Sequence, residues 1–181
     1  MRLVLYGLVG GASGAVAAAC VLFLRLGDLP HLALPTEFYL YPGLIFGVAF
    51  GIILSWREGR LEPIAVLGFA LAAAVSNALA VATWTAVDDP IGSLLKAEET
   101  GTMMFGITGP IAGAVGGGLL GYSARWLLGA VAWPRLLTAG AALGLLLPLV
   151  QSEPGFFAFY ILWQAGYAAT MASIIAPIRT T

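Results

Sequence analysis

Six long apolar runs decide most about this chain: Leu3–Leu24, Phe38–Trp56, Ile64–Val87, Thr102–Tyr122, Pro134–Val150 and Phe156–Pro177. The only charge inside them is Arg135, at the entry of the fifth. A helix needs about 20 mainly apolar residues to cross a hydrocarbon layer roughly 30 Å thick. Each run is apolar on all sides, whereas barrel strands alternate apolar and polar over about ten residues. The reading is therefore all-α: a polytopic membrane protein with six transmembrane helices, residues 1–181 forming one transmembrane domain. The fifth run is the shortest and its start the least sharp, because residues 127–132 before it are apolar too.

Composition closes the alternatives. Charged residues make up 9% of the chain, against roughly 25% in soluble domains. So few charges cannot cover a water-facing surface. Disorder is excluded by the 60% apolar content, since disordered chains are poor in such residues. Eight basic residues against nine acidic ones leave no basic face for nucleic acid.

Charge also orients the spans. Arg2, Arg57, Arg60, Arg125, Arg135 and Arg179 fall on one side of a six-span arrangement, and Arg25 and Lys96 on the other. The positive-inside rule then predicts a bacterial inner-membrane protein with both termini cytoplasmic. Asp28, Glu37, Asp88, Asp89, Glu98, Glu99 and Glu153 lie outside, with Glu58 and Glu62 inside. Trp56, Trp84, Trp126 and Trp133 fall near the expected interfaces, where their amphipathic rings are favoured. The small residues before Cys20 resemble a lipoprotein cleavage site. The apolar run continues past that point, so Leu3–Leu24 reads as a retained helix. As the only cysteine, Cys20 can form no internal disulfide and no multi-thiolate metal site.

Glycine at four-residue spacing is the strongest local pattern. Gly109, Gly113, Gly117 and Gly121 form one stripe, and Gly43, Gly47 and Gly51 another. Residues four apart share a helix face, and small residues there let helix backbones approach closely in lipid. Such stripes predict helix packing, within the chain or against another subunit or a second copy; the four-glycine stripe is the best partner candidate. Two segment pairs also align. Gly10–Ala18 matches Gly109–Gly117, and Gly47–Leu54 matches Gly140–Leu147. Two three-helix halves would be forced into opposite orientations, the inverted-repeat plan of many transporters.

Polar groups at membrane depth are costly and point to function. Here they are few and neutral: Ser76 and Asn77 in the third run and Gln164 in the sixth, with Thr108, Tyr167 and Thr170 as further candidates for a substrate-binding lining. Their plainer role is hydrogen bonding between helices. No Asp, Glu, Lys or His stands in a span core, which disfavours a proton-driven carrier. His31, the only histidine, belongs to an outer loop. With no histidine in any span to activate a serine, and no metal-ligand or phosphate-binding cluster, the chain reads as a non-enzyme without cofactor or metal. Residues 88–101 suggest a short interfacial helix, and residues 125–135 a surface anchor among anionic lipids.

Two functions follow. One is an integral membrane transport module: a neutral small-solute pore, or a substrate-binding subunit that depends on a partner for energy. The other is a non-catalytic structural or assembly subunit of a larger membrane complex. The partners expected are the lipid bilayer and other membrane subunits or self-association, with no nucleic acid.

Overall fold

A computed structural model describes residues 1–24, 40–59, 62–95, 101–130 and 132–175. The described residues are helical, with no strand among them. Among the described residues six α-helices follow in order: α1 (Arg2–Leu24), α2 (Tyr41–Glu58), α3 (Pro63–Leu95), α4 (Gly101–Leu128), α5 (Pro134–Gly144) and α6 (Glu153–Ile174). A 3₁₀ turn, Leu147–Gln151, joins the last two.

Local chemistry sets the ends. Pro42, Pro134 and Pro154 sit in first turns, where a missing N–H costs nothing. Ser152 caps α6, its hydroxyl accepting from Gly155 N–H at 3.2 Å. Gly59 and Gly129 follow α2 and α4 with φ of 58° and 64°, a conformation that only glycine adopts readily.

The fifth run departs from the expectation of one continuous span over 134–150. Helix α5 stops at Gly144. Pro148 explains this: it has no N–H to give the residue four back, and its ring would crowd that residue's carbonyl. That residue is Gly144. Eleven residues make a helix only about 16 Å long, and the chain continues as the 3₁₀ turn. The expected separate interfacial helix after residue 88 is also replaced, in its first part, by the continuation of α3 to Leu95. Residues 96–100 and His31 lie outside the described residues.

Each helix packs along its neighbours in sequence, and α1 closes the bundle by lying along α6. Among the described residues three helical stretches are long and apolar enough to cross a membrane: Arg2–Phe23, Pro63–Ser93 and Met104–Leu128; Tyr41–Arg57 is apolar but shorter. On α3, Leu67, Leu71, Val75 and Leu79 form an exposed stripe. A contiguous apolar face of this kind is not kept bare in water.

The interior holds two clusters. Tyr6, Phe46, Phe50, Phe69, Leu136 and Met171 gather where α1 begins and α2 ends, with Phe50 ringed by Tyr6, Phe46 and Phe69 at centroid distances of 5.4 to 5.7 Å. Ala17, Ala18, Leu147, Phe156, Phe159 and Tyr160 form the second, at the opposite end.

Candidate functional site

The glycine stripes are used inside the chain. A Cβ built on Gly43 would meet the Ala73 backbone of α3, and one on Gly47 the backbone of Ala70; Gly51 is close to Val66. On α4, Gly109, Gly113, Gly117 and Gly121 face Gly144, Gly140, Leu136 and Trp133 in turn. The stripe on α4 is therefore covered by α5. The segments that align in sequence are also used differently. Gly10 and Gly14 close against α6, whereas their matches Gly109 and Gly113 close against α5. An exchange of halves would carry the α1–α6 contact onto α4 and α3, which do pack together, but through Gly116 against Ala80 rather than through Gly109 and Gly113.

Close backbones bring the polar side chains into reach of one another. Ser13 of α1, itself buried, places its hydroxyl 2.6 Å from Gln164 Oε1 and 2.8 Å from the Gly10 carbonyl. The Gln164 amide N–H donates to the Pro42 carbonyl of α2 at 3.0 Å. One amide thus ties α1, α2 and α6. Gln164 is 1% exposed, so both bonds form away from water, where an unmade one is costly. Tyr167 donates to the Gly113 carbonyl at 3.1 Å, its hydroxyl seated in a notch that side chains on Gly117 or Gly140 would occupy. Removing that hydroxyl with Tyr167→Phe should cost about 0.6–1.7 kcal/mol, because the Gly113 carbonyl keeps its place in the α4 ladder. Reversible unfolding in mixed micelles measures this; a loss above about 3 kcal/mol would mean the hydroxyl holds more than one bond.

Four of the six polar candidates surround one small cavity. Ser76, Asn77, Gln164 and Tyr167 line a space of about 20 Å³, room for roughly one water. Ser76 also donates to the Ala72 carbonyl at 2.7 Å. Thr108 and Thr170 stand apart. Each bonds back into its own helix, to Met104 at 3.2 Å and to Gly166 at 2.8 Å, and neither lines this cavity or the larger one beside it.

That larger cavity, of about 70 Å³, adjoins the first. Asn77 and Trp163 line both. From Asn77 it runs along α3 past Ala80 and Val81 to Trp84, a rise of about 10 Å. Its other walls are Gly109, Ala112 and Gly113 of α4, Gly144 and Leu147, and the aromatic face of α6. That face carries Phe156, Phe159, Tyr160 and Trp163. The glycines matter here too, since side chains at 109, 113 or 144 would push α4 and α5 apart. Among the described residues the lining has one strongly polar group, Asn77, and no charged residue.

No protein-family model, curated protein or solved structure matches this chain. The geometry therefore carries the functional argument alone. Sequence reasoning did not pick out the second cavity as a site, yet a signal was present. Asn77, Val81 and Trp84 are spaced by four and three residues, and Phe156, Tyr160 and Trp163 likewise, which puts each set on one helix face.

Proposed function

We propose that the protein crosses the membrane as a six-helix unit, both tails on the arginine-rich face, and works as a binding module for transport. The short α5 and its 3₁₀ turn together take the place of the fifth crossing. The cavity between α3, α4 and α6 is the substrate site in this reading, reached from the acidic, extracytoplasmic end of the bundle. Its lining carries the proposal: aromatic walls over a single amide is the pattern of a site for a small molecule.

Of the two transport forms, the partner-dependent binding subunit has the better support. A pore needs a continuous polar path, whereas Asn77 and Trp163 stand between the two cavities and hydrogen bonds link the helices below them. The assembly-subunit alternative drew its strength from the glycine stripe of α4, which α5 occupies. Energy for release would come from a partner, as no carboxylate, amine or imidazole stands inside the six apolar runs.

Filling the cavity tests this. Val81 is half-buried on the cavity wall, so Val81→Phe should place a ring in the site without disturbing a helix contact of backbone on backbone. Native mass spectrometry after gentle extraction is expected to show a small molecule retained by the wild-type chain and lost, by about tenfold or more, from Val81→Phe. Identical spectra for the two proteins would sink the proposal.

A further inference from the structure

We infer that the smaller cavity binds one structural water, held by the side chains of Ser76, Asn77 and Gln164. This water joins α3 to the hydrogen bonds that tie α1, α2 and α6. The inference is independent of the reading of the larger cavity as a substrate site.

Size and lining lead to it. A water needs about 10–15 Å³ of space and two to four polar partners. The smaller cavity has about 20 Å³, enough for one and too little for two. Ser76, Asn77 and Gln164 line it and are buried, so the bundle encloses every one of its polar neighbours. The larger cavity is roomier, yet among the described residues it offers one strongly polar group. Apolar cavities stay dry. An ordered water therefore belongs in the smaller one.

The donors and acceptors at its wall have capacity for it. Ser76 donates its hydroxyl proton to the Ala72 carbonyl at 2.7 Å, which leaves the lone pairs of its oxygen to accept. The Gln164 amide carries two N–H donors. One reaches the Pro42 carbonyl at 3.0 Å, while Oε1 accepts from Ser13 at 2.6 Å. The second N–H donates to the water, and the water donates to Ser76 Oγ. Asn77 brings another amide to the same wall and is the third partner. Tyr167 commits its hydroxyl proton to the Gly113 carbonyl and closes the space beside Phe46 and Leu120. A bridge of this kind is nearly as favourable in enthalpy as a direct hydrogen bond. The water can turn to its remaining partners, so losing one side chain costs little beyond that residue's direct bonds.

The test uses the full chain in lipid bilayers, labelled with ¹⁵N at asparagine and glutamine. Asn77 is the only asparagine, and Gln151 and Gln164 are the only glutamines, so three side-chain amides report. Proton-detected solid-state NMR follows the initial transfer of magnetisation from water to each. Gln151 is exposed and sets the scale. The expected result is transfer to Gln164 and Asn77 within about threefold of that to Gln151 in the wild-type chain. Two substitutions fill the cavity: Ser76→Thr adds a methyl at its wall and keeps a hydroxyl for Ala72, and Leu120→Met brings in a flexible chain. Each should lower transfer to Gln164 by about fivefold or more and leave Gln151 unchanged. The hydroxyls of Ser13 and Tyr167 persist in both variants, so a loss belongs to the water and not to hydroxyl exchange. Val81→Phe, which fills only the larger cavity, should leave Gln164 as in wild type. No transfer to Gln164 in the wild-type chain, or transfer that survives both filling variants, would overturn the inference. Transfer lost in Val81→Phe would place the water in the larger cavity and overturn it as well.

Discussion

Gly113→Val is expected to prevent α4 and α5 from docking, at a cost of about 3 kcal/mol or more. Two backbones meet at this point. A Cβ on Gly113 would run into the Gly140 carbonyl, and a Cβ on Gly140 into the Gly113 carbonyl. Neither obstacle is the tip of a flexible side chain, so relief requires moving a helix. The displaced helix would also withdraw the Gly113 carbonyl from Tyr167 and change the wall of the larger cavity, which Gly113 lines. Stability, polar contact and site should therefore fail together. Gly106 on the same helix is the control. Nothing lies within 4 Å of a Cβ placed there, so Gly106→Ala should be neutral or stabilise by about 0.5–1 kcal/mol. Unfolding of both variants in mixed micelles makes the comparison. A Gly113→Val protein that unfolds like wild type would show that the two helices stand further apart than their carbonyl contacts imply.

The helices were legible because their signal is additive. Each run repeats the same apolar preference over many residues, and single exceptions do not erase it. Where a boundary depends on one residue, the outcome turned on that residue. Pro148 ends α5 at Gly144, although the run stays apolar to Val150. The glycine stripes were legible as contact surfaces for the same reason of periodicity. Which neighbour covers each was not, because four-residue spacing describes a face and says nothing of the helix opposite. The Gly10–Ala18 match to Gly109–Gly117 shows the point. Similar sequence is used against α6 in one place and against α5 in the other.

The site was only half legible. Polar residues in apolar runs stand out singly, and Ser76, Asn77, Gln164 and Tyr167 do converge on one small space. Aromatic residues do not stand out in a chain with so many, so the wall of the larger cavity was hidden until the helices were placed. Ser13 was hidden differently. Its serine looks like one more small residue in the Gly10–Ala18 segment, and its worth comes from the close approach of α1 to α6 that Gly10 and Gly14 permit.

That approach leads to the second large effect. Gln164→Leu should cost about 1–3 kcal/mol, since it removes two bonds that each contribute about 0.6–1.7 kcal/mol in membrane bundles. The loss is limited because both partners have somewhere to turn. Ser13 retains the Gly10 carbonyl at 2.8 Å, and the Pro42 carbonyl stays in the first turn of α2. Ser13→Ala removes only one bond but leaves Gln164 Oε1 without its hydroxyl, so a loss of about 1 kcal/mol is expected. The two changes share a contact and must not add: the double variant should recover about 0.6–1.7 kcal/mol relative to the sum. Strict additivity would mean the 2.6 Å contact contributes nothing, and that α1 and α6 are joined by packing alone. The same variants separate structure from binding. Gln164 engages protein groups at both ends of its amide and lines only the smaller cavity. Gln164→Leu should therefore lower stability while leaving the amount of small molecule retained in native mass spectra within about threefold of wild type.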